Sequence, residues 1–466
     1  MELTMSSAVW QVMVDLAIMG TLLIVGEFLR AKVKFFQTLL IPPAVIAGVL
    51  ALIFGPKSPW EICQILPLSK EFGTYASILI VLVFGATPIG DRPHKGVVAG
   101  PRIMGMFFNI TGIAVLQYPV GMLVTVALLT KFYPTLNENF GLMMATGFYG
   151  GHGTAAAVGK TLADLGVADM TDLGNTFATI GIVGGIITGI LIINWGTRCG
   201  YTHYVERPSD LPREMRTGLI PAEKQKAAAK GTISTICLDP LAFHLGIVLL
   251  ASWLGYLASV WFKAITKFVF NHGVAIPEFC LALFAGLIIN SVLNRTNAHK
   301  YVDRAFIQRI QGTATDFLMV SGIGSLNLTV VMSYKIPLIV TCGLGFLTTW
   351  LWFMFVGSKS SEEDWFERNM MVWGHATGVV ATGVLLQRVV DPELKSRGIE
   401  DAGITDVFNL PIIIGFQVIP PFLICGLGTL GSWIVIIGGF ALVAAMWYFA
   451  WKTKGWVADR PLKRYR

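Results

Sequence analysis

The sequence is short of charge. Only 14% of its 466 residues are Asp, Glu, Lys or Arg, against about 25% in soluble domains, while 54% are hydrophobic and the mean hydropathy is +0.66. That scarcity excludes a soluble enzyme, a disordered chain and a secreted scaffold, and leaves a polytopic membrane protein. Cysteine is scarce too. Cys63, Cys199, Cys237, Cys280, Cys342 and Cys425 are scattered without a CxxC pair, so no disulfide framework is expected. The seven histidines (His94, His152, His203, His244, His272, His299, His375) include no HExxH, and no motif pairs a nucleophile with a base, so an enzyme is not expected. No Lys or Arg precedes the first apolar run; lacking the basic flank of a cleavable signal peptide, that run reads as a retained helix.

What is present is a series of apolar runs, and about 20 such residues cross a bilayer as a helix. Eleven spans are expected, at 8–29, 39–56, 74–91, 101–130, 175–196, 241–262, 276–294, 313–332, 336–357, 408–425 and 428–451. With the N-terminus outside, 28 of the 35 Lys and Arg fall in inside segments. The positive-inside rule therefore places the C-terminus in the cytoplasm and explains the net charge of +7 without a nucleic-acid partner. The basic tail (Lys452, Lys454, Arg460, Lys463, Arg464, Arg466) follows from the same bias and is given no other role.

Two further segments resist reading as plain helices. Residues 141–161, GLMMATGFYGGHGTAAAVGKT, set Gly150, Gly151 and Gly153 around His152 at the midpoint. Each glycine costs a helix about 1 kcal/mol against alanine, and a buried imidazole needs a partner. Two half-helices meeting at the glycines satisfy both demands. Eight residues reach about 12 Å, roughly the bilayer midplane, where non-helical backbone is tolerated only inside protein or along a cavity. Residues 365–388 repeat the arrangement from the other side with Gly374, His375, Thr377, Gly378, Thr382 and Gly383. A close-packed helix crossing would explain either motif alone; paired re-entrant hairpins explain both in matching positions.

Other markers recur in order. Ile41-Pro42-Pro43 and Ile276-Pro277-Glu278 each lead an apolar run 235 residues apart, and His152 and His375 are 223 apart. The expected fold is all-α, with two inverted-topology repeats of five transmembrane helices plus one re-entrant hairpin each. The first repeat spans 1–196 and the second 241–427. Residues 197–240, with Pro208, Pro212 and Pro221, form a cytoplasmic linker, and 428–466 hold an extra helix and the tail. An odd number of spans inverts the second copy, which gives a route to alternating access.

Pro420 and Pro421 free the carbonyls of Phe416 and Gln417 for a hard cation, although plain kinking accounts for the prolines equally. Thr154, Thr382 and Glu278 complete the candidate sodium ligands. Glu278 also suits a helix cap at its outer end, and Asp316 is read as similar. Glu27 and Glu367 are expected to be solvated, one at a cytoplasmic helix end and the other at a hairpin mouth. No ring of charge suggests the pore of an ion channel, the alternative of another class.

At GGHGTAAA (150–157) and GHATGVVATG (374–383) the chain resembles the sodium/glutamate symporter family, and more distantly the 2-hydroxycarboxylate (citrate) transporters, which typically have asparagine where His152 stands. The resemblance implies a homodimer in a plasma or bacterial inner membrane. In it a transport domain holding both hairpins carries glutamate, or a related small carboxylate, with sodium as the co-transported ion. Gly150, Gly151, His152, Gly153 and Thr154 would form one tip, and Gly374, His375, Ala381 and Thr382 the other, with Thr377, Gly378 and Gly383 among the substrate contacts. Half-helix N-termini would hold the anion, and the histidines would donate hydrogen bonds rather than bind metal. No cofactor is implied. The second tip departs from the family's glycine-rich run ending Ala-Thr-Pro, which leaves open another carboxylate, such as a 2-hydroxycarboxylate, and coupling to sodium or protons. One charge through 100 mV is worth about 2.3 kcal/mol, so inward transport of a monoanion calls for at least two sodium ions.

Overall fold

A computed structural model describes residues 8–38, 41–58, 60–90, 100–204, 217–225, 227–270, 278–391 and 395–465. The expectations for His94, Pro208, Pro212, His272 and Arg466, and for the Ile276-Pro277 helix start, lie outside the described residues. Among those described the chain is helical, without strands. Among the described residues, eight helices are long and apolar enough to cross a membrane, which makes this a multi-pass membrane protein. All six cysteines are free thiols.

The helices are α1 (Ala8–Lys32), α2 (Lys34–Thr38), α3 (Pro43–Phe54), α4 (Thr74–Ala86), α5 (Pro101–Phe132), α6 (Phe140–Phe148), α7 (Gly151–Asp164), α8 (Met170–Arg198) and α9 (Pro240–Phe270). They continue with α10 (Glu278–Arg295), α11 (Arg304–Gly324), α12 (Leu328–Ser333), α13 (Lys335–Lys359), α14 (Trp365–Thr377), α15 (Val380–Val390), α16 (Gly398–Leu427) and α17 (Thr429–Lys452). Three expectations need correction. The span expected at 313–332 is α11, which starts nine residues earlier because the Asp303 carboxylate accepts from the Ala305 N–H and caps it. It stops before Asn327, whose side chain caps α12, so Asp316 lies inside a helix rather than at an end. The span expected from 408 begins at Gly398, because its polar first turns are buried in an ion-pair network that hydropathy cannot register. Helices α3 and α4, at 12 and 13 residues, are shorter than the spans expected there.

The chain forms two compact units that cut across the halves read from the sequence. The first unit takes residues 1–28, 43–97 and 220–326. Its helices approach closely where side chains vanish: Gly255 lies against Ala282, and Gly286 against the Gly85 carbonyl and Pro88. Polar groups inside it are satisfied. The buried Asp15 carboxylate accepts from the Ser69 N–H at 2.9 Å and from the Tyr75 hydroxyl at 3.2 Å, which ties α1 to α4 and to the segment before it. His244 donates from Nδ1 to the Pro240 carbonyl at 2.6 Å and accepts the Asp303 N–H on Nε2 at 2.8 Å, a histidine spent on structure.

The second unit takes residues 29–42, 98–219 and 327–466 and contains both segments with the glycine-flanked histidines. In it α17 lies along α5, with Gly439 against the Pro119 ring. The extra helix is thus part of this core, through Met446 and Ala450 as well.

Candidate functional site

Both glycine segments are broken into two short helices. In the first, α6 ends at Phe148 and α7 begins at Gly151, whose φ of +67° is open to glycine and costly for other residues. The two run in opposite directions along α8. From Met143 to Phe148, α6 meets Gly174, then Phe177, then Gly181; from His152 to Gly159, α7 meets Thr179, then Gly174, then Thr171. In the second segment, α14 ends at Thr377 and α15 begins at Val380. Here Gly374 and Gly383 pass so closely that a methyl on Gly374 would lie 2.6 Å from the Gly383 Cα.

Helix α8 carries both pairs on a face almost without side chains. Gly181 faces Phe148 of the first pair and the Thr377 carbonyl of the second. Further along, Gly185 faces Thr377, Gly189 faces Leu386 and Gly196 faces Phe366. The Trp373 indole N–H donates to the Gly185 carbonyl at 3.0 Å, and on the other side the Gln117 amide donates to the Ala376 carbonyl at 2.7 Å.

The tips meet. A methyl on Gly151 would lie 2.5 Å from Val379 Cγ1, and the Tyr149 ring stacks on His375 at 4.4 Å and 16°. Beside this contact stand the N-termini of α7 and α15, with Gly150 and Val379 as their N-cap residues. The first N–H groups of a helix have no partner within it, and its N-terminus carries partial positive charge. Two such ends beside one contact make a favourable place for an anion.

The expected site residues divide accordingly. Gly150, Gly151, His152, Gly153, Thr154, Gly374, His375, Thr377, Gly378, Thr382 and Gly383 all belong to the second unit, at or next to the two breaks. His152 meets the Thr179 hydroxyl through Nε2 at 2.9 Å. The Thr377 hydroxyl is spent on its own helix, donating to the Trp373 carbonyl at 2.9 Å. The Thr154 and Thr382 hydroxyls have no hydrogen-bond partner among the described residues. Of the sodium candidates, Phe416 packs its ring 5.3 Å from Tyr118, Gln417 is buried with Oε1 unpartnered, and Glu278 belongs to the first unit.

Glu367 is not solvated. It is fully buried and accepts the His203 N–H at 2.6 Å. Beside it the buried Arg368 donates to Asp401 at 2.6 Å and to the Ser396 carbonyl at 3.2 Å, and Arg102 pairs with Asp401 at 3.0 Å. Hydropathy misses this network because its members lie far apart in the chain. The tail closes over the same region: Trp365 donates to the Lys463 carbonyl at 3.1 Å, and Tyr465 donates through its N–H to the Gly200 carbonyl at 2.8 Å. The Tyr465 ring stacks on His203 at 4.1 Å while His203 Nδ1 meets Asp364 at 2.8 Å. Burial pushes the Tyr465 hydroxyl up to about 12, so it stays protonated.

Three polar residues at the tips escaped the sequence reading. Asn409 donates to the Tyr149 hydroxyl at 3.3 Å and to Asp406 at 3.2 Å, and Asp406 lies within electrostatic reach of His375. A signal for two of them was available. Thr171-Asp172-Leu173-Gly174-Asn175 on α8 recurs as Thr405-Asp406-Val407-Phe408-Asn409 on α16, 234 residues later, nearly the spacing of the Ile-Pro markers.

The profile of the sodium/glutamate symporter family matches residues 9–384. No curated protein matches the chain significantly. Among solved structures, a sodium/proton antiporter from Methanocaldococcus jannaschii is similar at 18% identity over 93% of this chain and 99% of that one, with a TM-score of 0.37. A superposition that loose says nothing about shared chemistry.

Proposed function

The chain belongs to the sodium/glutamate symporter family, and from that premise we propose that it carries glutamate, or a closely related small carboxylate, into the cell together with sodium. The observation that carries this reading is the meeting of the α7 and α15 N-termini inside an apolar unit, where an anion finds backbone N–H groups and two helix dipoles. Thr154 and Thr382, whose hydroxyls are uncommitted, supply oxygens for substrate or sodium next to those ends.

In this reading α6–α7 and α14–α15 are re-entrant hairpins of two inverted repeats, and the second unit is the transport domain that moves against the first within a homodimer. The N-terminus lies outside and the tail inside. The charge arithmetic requires at least two sodium ions per glutamate anion.

The test is uptake of labelled glutamate into proteoliposomes under an inward sodium gradient, a proton gradient or neither. Saturable uptake and inward current with sodium alone are expected. Uptake driven by protons alone would overturn sodium coupling, and flux that never saturates would overturn a carrier in favour of a channel.

A further inference from the structure

We propose that Asp406 receives the ammonium group of an amino-acid substrate whose carboxylates are held at the two tips, and thereby selects amino acids over the corresponding dicarboxylates. This rests on the carrier reading above. Asp406 sits in the third turn of α16, half-buried. It is linked to both tips: Asn409 bridges it to Tyr149, the residue just before the Gly150-Gly151 turn, and Tyr149 stacks on His375 of the second pair.

Its charge has no match. Among the described residues no Lys or Arg pairs with Asp406, and its only side-chain hydrogen bond is the one from Asn409. A carboxylate in so apolar a unit is costly until a cation joins it. His375 is buried nearby, 4% exposed, and its Nδ1, like that of His152, has no partner. The Asp406 carboxylate and the Tyr149 oxygen, both reached by Asn409, offer acceptors for the hydrogens of an ammonium group. Sodium is a poorer fit, because hard cations gather several oxygen ligands, whereas the Asn409 amide presents its N–H side to Asp406.

The repeated motif supports the assignment. In the first copy Asp172 is committed to structure, accepting the Asn327 N–H at 3.1 Å where the chain turns into α12. In the second copy the same residue type lacks that backbone partner and faces the tips. One copy has become a fastening while the other is left for a ligand.

The experiment compares glutamate with glutarate, the same carbon chain without the ammonium group, on the full chain. Binding is read as ligand-dependent thermal stabilisation in sodium, and transport as competition for sodium-driven uptake in proteoliposomes. The wild type should prefer glutamate at least tenfold. Asp406→Asn should erase that preference by weakening glutamate about tenfold or more while leaving glutarate and the half-saturating sodium concentration within twofold. Asp406→Glu should keep the preference at reduced affinity, and Asp172→Asn should keep it unchanged.

Equal weakening of both ligands, or a tenfold shift in sodium dependence, would show that Asp406 serves sodium and would overturn the proposal. If Asp406→Asn does not fold, a wild type that binds both ligands equally overturns it unaided. A wild type that binds and transports neither removes the carrier reading itself, an outcome separate from lost selectivity.

Discussion

The α6–α7 pair is held by apolar packing, whereas the α14–α15 pair, besides the apolar contacts of Met371 and Ala376, stands on a base of buried charge. Phe140, Met143, Met144 and Phe148 share one core with Val158, Leu162 and Phe177, and the first turn is fixed by a glycine at φ +67°. The first histidine has a hydrogen-bond partner in Thr179. In the second pair the base is Arg368 with Asp401 and Glu367, the turn holds no residue of positive φ, and the histidine rests on a ring stack, while Nδ1 is unpartnered in both histidines. Packing of the first kind resists displacement whatever its polar surroundings. Buried ion pairs keep their strength only while water stays out. The contrast marks the second pair as the one that water entering at its base would loosen first.

Replacing Arg368 with methionine breaks the contrast most directly. Asp401 is left buried with only the half-exposed Arg102, at a cost of about 3 kcal/mol, and a large drop in melting temperature in detergent is expected. A melt like the wild type's would mean that the base does not support the second pair. A smaller effect comes from Gly151→Ala, which forces an L-residue into the left-handed region at a cost of about 1–2 kcal/mol and drives a methyl toward Val379. Sodium-driven glutamate uptake should fall more than tenfold, while Gly403→Ala, where a methyl meets open space, should leave it intact. The smallest effect separates the two histidines. A double-mutant cycle of His152→Phe with Thr179→Val should give a coupling of about 1 kcal/mol in stability, whereas His375→Phe keeps the stack on Tyr149 and should melt within a few tenths of a kcal/mol of the wild type.

The breaks were legible in the sequence because glycine beside histidine in an apolar run is unfavourable for a continuous helix, and both breaks fall where Gly151 and Gly378 stand. The apolar runs located most helices for a similar reason: local composition reports on the solvent each segment meets. What stayed hidden was polar and non-local. Asp401, Asp406 and Asn409 lie in or beside the stretch read as connecting chain ahead of 408, since the partners that make them tolerable inside a helix bundle, Arg368 and Tyr149, are 33 and 260 residues away. Glu367 was misjudged on the same ground. Its neighbour in space is His203, 164 residues distant. The tail, read as an orientation signal alone, proved to carry directed contacts to Trp365 and Gly200.

One face of α8 has a consequence for how this chain can change over generations. Gly174 touches both arms of the first pair, Gly181 touches both pairs, and Gly185, Gly189 and Gly196 serve the second. A side chain gained at Gly181 is rejected by two clients at once, so a compensating change in either pair alone does not rescue it. The pairs are therefore expected to diversify at their tips and bases while this surface drifts slowest. Lineages that acquire a new substrate would do so by altering what stands around the rail, leaving the rail itself bare.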